Sequence, residues 1–397
     1  MRCLWLNWID PVPEHDGQRI YSGRMIAAMA AAGAEIDVLC AASAGSHRRD
    51  GDCEDGVTWR LVNHGFPPAW ASIASPLPHI AHRSAVAKMR GRLAGMLEER
   101  SWDCVVFDGL GTGWALDAVL LRRHADRPRR RLVYISHNHE ATTRASVAAG
   151  IPRRSLRGTL LRHDARKAGR LERRLVEAAD LITAITPEDA RLFEAGIAGN
   201  KPVVQLSPGY QGRRVAERVI TGDVPRRAIM VGSFDWIAKQ MNLREFLAAA
   251  DRLFSDAGAR LDVVGAGDPR FFDSLRGDLK ATRLVGHVES ITPYLEQARI
   301  AVVPERLGGG FKLKVLEYVF NRLPIAALEG SVAGTPLAPD DSMLSFDTHP
   351  SLARGVLNAL DDLGLLNRIQ SAAYQACAER FDWSDRGRRL AASIAAL

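Results

Sequence analysis

The feature that most constrains this chain is a steady exchange of short apolar, strand-like runs with longer segments of helical periodicity, an exchange that stops midway and starts again. Arg2–Trp8 reads as a buried strand, Gln18–Ala32 as a helix with apolar Ile20, Met25, Ile26 and Met29, and Glu35–Cys40 as the next strand. Val57–Val62, Cys104–Phe107, Leu132–Ile135, Leu181–Ala184 and Val203–Leu206 continue the series, with helical stretches between them. Parallel strands need a crossover, usually a helix, so this alternation predicts a parallel sheet. From Ser207-Pro208-Gly209 to Pro225 the chain turns polar and reads as a linker. A second series follows: strand 228–231, helix 242–255, strands 261–264 and 283–285, helix 291–297, strand 300–303, helix 312–321 and strand 324–328. The predicted class is α/β, with two Rossmann-like doubly wound domains. The length of 397 residues agrees, being roughly two to three times that of a usual single domain.

Composition removes several alternatives. A chain that is 47% hydrophobic and 25% charged is neither disordered nor built for a bilayer. Its longest apolar runs, 25–32 and 300–304, fall short of the ~18 residues a membrane span requires. The opening Met1–Trp8 has no apolar core followed by a small-residue cleavage site, so a cytoplasmic protein is expected. Five cysteines without a C-x-x-C pair suggest no disulfide framework or zinc site. The net charge of +7 is local: residues 153–174 carry nine basic residues against Asp164 and Glu172. A nucleic-acid partner is therefore not expected. Helix 155–176 spaces Arg162, Arg166, Arg170 and Arg173 or Arg174 along one side, with Leu156, Leu160, Leu171 and Leu175 expected to face inward. Such a face is either simply solvated or suited to an anionic membrane surface, with the apolar loop 65–80 beside it in sequence.

Open parallel sheets bind ligands beyond the carboxyl ends of their strands, so with two such domains the cleft between them is the expected site. The richest segment runs from Val302 to Tyr318: a buried strand, Glu305-Arg306-Leu307, three glycines at 308–310, Phe311, then a helix opening with Lys312 and Lys314. Glycines admit a ligand close to the backbone, and a helix N-terminus offers unpaired N–H groups at its positive end. The two lysines add full charges where a diphosphate would lie, and Glu317 lies within reach of a sugar hydroxyl attached to it. Only seven lysines stand against 46 arginines, so two within three residues is a pointed choice. A second phosphate candidate follows the first strand of the same half, where Gly232 and Ser233 supply backbone N–H groups and Lys239 a point charge. The plainer reading there makes Asn242 the helix N-cap and Lys239 solvated.

The ordered set Val231-Gly232-Ser233-Phe234, Val264-Gly265-Ala266-Gly267, Leu284-Val285-Gly286, Pro304 through Glu317 and Leu323-Pro324-Ile325 resembles the donor domain of GT-B glycosyltransferases, in particular family 4, group 1, in its Gly-rich Lys-x-Lys branch. The resemblance covers most of 228–328. It implies that Gly309, Gly310 and Phe311, with Lys312 or Lys314, hold the donor diphosphate and that Glu317 binds the ribose. The family's commonest pattern is Glu, seven residues, Glu; Gly309 stands at the first Glu, and Ser233 stands where an arginine is common. Ser136-His137-Asn138-His139-Glu140 is similar to the family's His-Asn-x-Glu stretch, so His137 is the catalytic candidate, with His139 its competitor for facing the sugar. Gly17 matches the family's first Gly-rich turn, near the diphosphate. The turn from Asp108 to Gly113 is a candidate lining for the acceptor pocket.

The resemblance further implies an N-terminal acceptor domain over 1–207, a donor domain over 208–381, and a last helix within 382–397 that packs back on the first. The expected activity moves a sugar from a nucleotide-diphosphate sugar to a hydroxyl acceptor, a saccharide or lipid-linked saccharide in bacterial surface glycan or glycoconjugate synthesis, with retention of configuration. No tightly bound cofactor and no metal are expected, because the lysines and the helix dipole take the place of a divalent cation. Rival readings are a nucleotide-sugar epimerase and a catalytically silent GT-B protein. A nicotinamide dehydrogenase fits less well, since Asp10-Pro11-Val12-Pro13 replaces the glycine-rich turn after the first strand.

Overall fold

In the computed structural model, which describes residues 1–14, 16–123, 129–152, 154–197, 199–307 and 309–397, every expected strand is present. The first eight are β1 (Arg2–Ile9), β2 (Glu35–Ala41), β3 (Cys53–Glu54), β4 (Val57–Val62), β5 (Cys104–Asp108), β6 (Arg131–Ile135), β7 (Leu181–Ala184) and β8 (Val203–Gln205). They form one sheet in the order β3-β4-β2-β1-β5-β6-β7-β8. A second sheet contains β9 (Arg227–Val231), β10 (Arg260–Val264), β11 (Thr282–Gly286), β12 (Ile300–Val303), β13 (Ile325–Leu328) and β14 (Leu344–Phe346), ordered β11-β10-β9-β12-β13-β14. All pairings are parallel except β3 with β4. Strand order reverses beside β1 in one sheet and beside β9 in the other. Loops leaving β1, β5, β9 and β12 therefore border the switch points, where doubly wound sheets take their ligands.

The chain divides into two units, Met1–Gly209 with Asp382–Leu397, and Tyr210–Phe381. In the second, successive strand residues bury opposite faces. Met230, Val263 and Val302 pack with Phe246 and Val356, while Ile229, Val264 and Val303 pack with Val315, Val319 and Ala373. Period-2 alternation with both faces covered explains why these strands read as unbroken apolar runs. Helices His349–Ala359 and Leu363–Cys377, for which the sequence reading had no counterpart, supply part of that cover. The polar run after Gly209 is no free linker: Arg218 donates to the carbonyls of Leu295 (3.1 Å) and Ala298 (2.8 Å), and Ile220 is buried.

In the first unit, helix Trp383–Ala395 lies so close on helix Gly17–Ala31 that a Cβ on Gly387 would stand 2.1 Å from the Ala28 carbonyl oxygen. Arg386 Nε adds a hydrogen bond to the Ser207 carbonyl at 2.7 Å. Helix Leu156–Ala178 corrects the sequence reading. Leu171 and Leu175 face the core as expected, but Leu156 is 77% and Leu160 39% exposed. Lys167, counted among the surface cations, is buried, with its ammonium on the carbonyls of Ser72 (2.6 Å) and Ser75 (3.0 Å). Of the residues singled out earlier, Arg153 and Gly308 lie outside the described residues.

Candidate functional site

In the second unit, β12 ends at Val303 and the chain runs through Pro304–Lys312 into helix Leu313–Phe320. Two side chains hold that run. Asn242 Oδ1 accepts from the amides of Arg306 (3.1 Å) and Leu307 (3.0 Å), its Nδ2 donates to the Leu307 carbonyl (2.8 Å), and His349 Nε2 meets the Pro304 carbonyl at 2.9 Å. Asn242 thus lies inside helix Ile237–Asp256 and is not its cap, as the plainer sequence reading had it; Trp236 is. The helix begins a turn earlier than expected and carries the half-buried Lys239 in that first turn.

The glycines give way to Lys312, which occupies the helix cap position with no side-chain cap hydrogen bond. Gly310 has φ +74°, a backbone region that side chains disfavour. The Lys312 ammonium folds back onto the carbonyls of Gly309 (3.0 Å) and Gly310 (3.3 Å). Lys314 pairs with Glu305, both side chains being nearly buried. Burial pushes the Glu305 carboxyl up, but the Lys314 and Lys312 charges outweigh it and hold its pKa below the ordinary value. Glu317 receives a hydrogen bond from Asn321 Nδ2 at 3.0 Å. Burial raises its pKa, against the opposing donors Tyr210 and Asn321. The Val315 amide bonds to the Lys312 carbonyl at 2.8 Å, which leaves the Leu313 and Lys314 amides without an acceptor inside the helix, with one lysine at the cap and the other in the first turn. The arrangement suits a polyvalent anion.

Tyr318 links this helix to the second candidate turn. Its buried hydroxyl accepts from the Val231 amide at 2.7 Å, fixing the end of β9. That turn fits the phosphate role less well than expected. The Gly232 amide is already committed to the Val264 carbonyl at 3.0 Å, and the Ser233 hydroxyl bonds to Asp235 at 3.1 Å. The extra residue pairing of the sheet takes up the donor that Gly232 was to offer.

In the first unit, His137 leaves β6 and its Nε2 lies 2.6 Å from Asp108 Oδ1, at the end of β5. Asp108 is fully buried and also accepts from Trp5 Nε1 at 2.8 Å. A carboxylate is acceptor-only, so Nε2 of the imidazole carries a proton and donates it to Asp108. Gly109, φ +79°, makes room for this: a Cβ there would stand 3.0 Å from His137 Cδ2 and 3.2 Å from Gln18 Nε2. Tyr21 packs edge-on to the imidazole at 5.3 Å. His139 has a different place. It caps helix Glu140–Ala149, its Nδ1 accepting from Thr142, and burial lowers its pKa. The Glu140 and Ala141 amides of that helix donate to buried Glu172 at 2.9 and 2.8 Å. Burial pushes Glu172 up to about 7 even so. Gly17 opens its helix behind Asp16, which takes the Gln18 and Arg19 amides at 2.9 and 3.0 Å. That N-terminus is filled by the chain's own carboxylate, which leaves Gly17 a weak anion cradle.

Sequence reading missed Asn242, Glu305 and Tyr318 as site residues, and it took Asp108 only as part of a turn lining the acceptor pocket, not as the partner of His137. Asp108 and Glu305 had a signal, a carboxylate ending an apolar strand. Asn242 had none, since its partners are 64 and 65 residues away.

A family model described as glycosyl transferases group 1 matches residues 225–362, and one described as a glycosyl transferase 4-like domain matches residues 16–209. The chain is 25% identical over 417 residues to a glycogen synthase of Mycobacterium tuberculosis, with 96% of this chain and 92% of that one covered. Sucrose-phosphate synthase from Thermosynechococcus elongatus has the same fold at 16% identity and a TM-score of 0.72, covering 100% of this chain and 98% of that one. WaaG, a glycosyltransferase involved in lipopolysaccharide biosynthesis, does so at 15% identity and TM-score 0.65, with 99% of each covered. Anabaena HepE, in complex with UDP and glucose, does so at 13% and 0.63, with 100% of each covered.

Proposed function

Since the chain belongs to the glycosyl transferases of group 1, we propose that it transfers a sugar from a nucleoside-diphosphate sugar to a hydroxyl of a saccharide or lipid-linked saccharide. The observation that carries this reading is the open N-terminus of helix Leu313–Phe320, with Lys312 and Lys314 at its head and Glu317 about one turn in. A leaving diphosphate gathers negative charge as its bond to the sugar breaks. Unpaired amides, the helix dipole and the lysines meet that charge without a divalent cation. Glu317 is suited to ribose hydroxyls, and His137, steadied by Asp108, to a sugar hydroxyl. The HepE complex with UDP and glucose supports a nucleotide-sugar donor. Retention of configuration and a hexosyl donor belong to the same reading.

Calorimetric titration with UDP-, GDP- and dTDP-sugars tests it. Micromolar binding of one of them, lost in Lys312→Ala and Glu317→Ala, is the expected result. Absence of binding to all of them favours the silent GT-B alternative.

A lipid-linked acceptor calls for a membrane face. Among the described residues no helix is long and apolar enough to cross a membrane. Exposed Leu156 and Leu160 share helix Leu156–Ala178 with exposed Arg157, Arg166 and Arg170, and Lys167 pins the loop bearing Trp70, 73% exposed, to that helix. This surface is the proposed peripheral contact with anionic lipid, at about 1 kcal/mol per basic residue. Charge reversal at Arg157, Arg166 and Arg170 should abolish flotation with anionic liposomes; unchanged flotation would sink the contact.

A further inference from the structure

Glu305 is built into the donor loop with half of its carboxylate unused. The backbone on either side is fixed, by His349 on the Pro304 carbonyl at 2.9 Å and by Asn242 on the amides of Arg306 and Leu307. Its side chain is 10% exposed, and Oε1 takes the Lys314 ammonium. Oε2 is buried and has no hydrogen-bond partner. A buried acceptor left in that state is unfavourable, and the neighbouring lysine charges keep the group ionised rather than letting it neutralise.

Resting on the glycosyltransferase reading, we propose that Glu305 recognises the transferred sugar, its Oε2 accepting a hydrogen bond from a sugar hydroxyl while Oε1 holds Lys314. The chemistry of the missing partner narrows the choice. An ionised carboxylate accepts only, so whatever completes it must bring a hydrogen. Phosphate oxygens of the diphosphate bring none and are repelled by the same charge. Sugar hydroxyls are donors, and they are carried on that diphosphate. Position agrees. Gly309 removes the carboxylate from the place where the common Glu-x7-Glu pattern has it, and Glu305 returns one four residues earlier on the same loop. Lys314 then serves both ends of the donor, steering Glu305 toward the sugar and adding positive charge for the phosphates.

The test compares a nucleotide sugar with its bare nucleoside diphosphate, beginning with UDP-glucose against UDP and extending to the GDP and dTDP pairs. The ratio of the two affinities isolates contacts to the sugar. In Glu305→Gln this preference should fall about tenfold, the worth of one hydrogen bond to a charged group. A parallel measurement on the wild type guards against a misfolded variant: one monodeoxy form of the donor sugar should lose about tenfold there. In Glu305→Gln the same deoxy donor should lose nothing further. An unchanged preference in the variant, or no single deoxy donor that is weakened in the wild type, overturns the assignment while the glycosyltransferase reading stands. If the wild type binds no nucleotide sugar and no nucleoside diphosphate, both fall together.

Discussion

Two helices that follow sheet strands at the switch points, Gly17–Ala31 after β1 and Leu313–Phe320 after β12, each border the reversal of strand order in their own sheet and finish their N-termini in opposite ways. The first is closed by Asp16, whose carboxylate takes the Gln18 and Arg19 amides. The second has a lysine at the cap and another two residues on, with no side-chain acceptor for its amides. A third case, helix Glu140–Ala149, is closed from a distance by Glu172. A place beside a switch point therefore does not by itself make a site. A helix end already filled by the chain's own carboxylate is a structural joint, and one left positive and open is a place for a ligand's anion.

Making the open end resemble the closed one is the most severe test. Lys312→Asp supplies a cap carboxylate and removes a cation, and it should weaken nucleoside-diphosphate binding by about a hundredfold or more, by calorimetry, with the circular dichroism unchanged. Retained affinity would mean that the open end is not where the phosphates bind.

The Glu172 cap sharpens the comparison through pH. Its folded pKa of about 7 lies above the ordinary 4.5. The native state therefore binds the proton more tightly than the unfolded one. The stability this contributes is full below about 4.5 and is lost as pH rises to about 7, at about 1.4 kcal/mol per unit of difference. Denaturation midpoints measured across pH 4–8 should fall more steeply for the wild type than for Glu172→Gln; parallel curves would remove the effect.

The smallest effect is expected at Asp16. Asp16→Ala should cost about 1 kcal/mol of stability, as loss of a helix cap does, and leave nucleotide affinity within twofold by the same titration. A large drop in affinity would instead return Gly17 and its helix to the donor site.

The dyad of Asp108 and His137 and the clamp by Asn242 show how the reading of residues divides. His137 was legible because it directly follows a strand end. Its pairing with Asp108 was not, the carboxylate being 29 residues earlier on a different strand. The same holds for Gly232, a strand-to-turn glycine by its neighbours, whose amide is taken by Val264 across the sheet. Leu156 and Leu160 fit the apolar spacing of their helix, yet the core stops short of them, because the packing partners of Leu171 and Leu175 do not extend over the first turns.

By itself the sequence determined the strands, the double alternation and the glycine-lysine loop, because strand and helix periodicity and turn chemistry are written in stretches of a few residues. Only the tertiary structure decided which helix ends are filled, which histidine stands on a buried carboxylate, and that one oxygen of Glu305 is left without a partner. Those outcomes depend on which side chains distant segments bring within about 3 Å of one another, and local pattern carries no record of that.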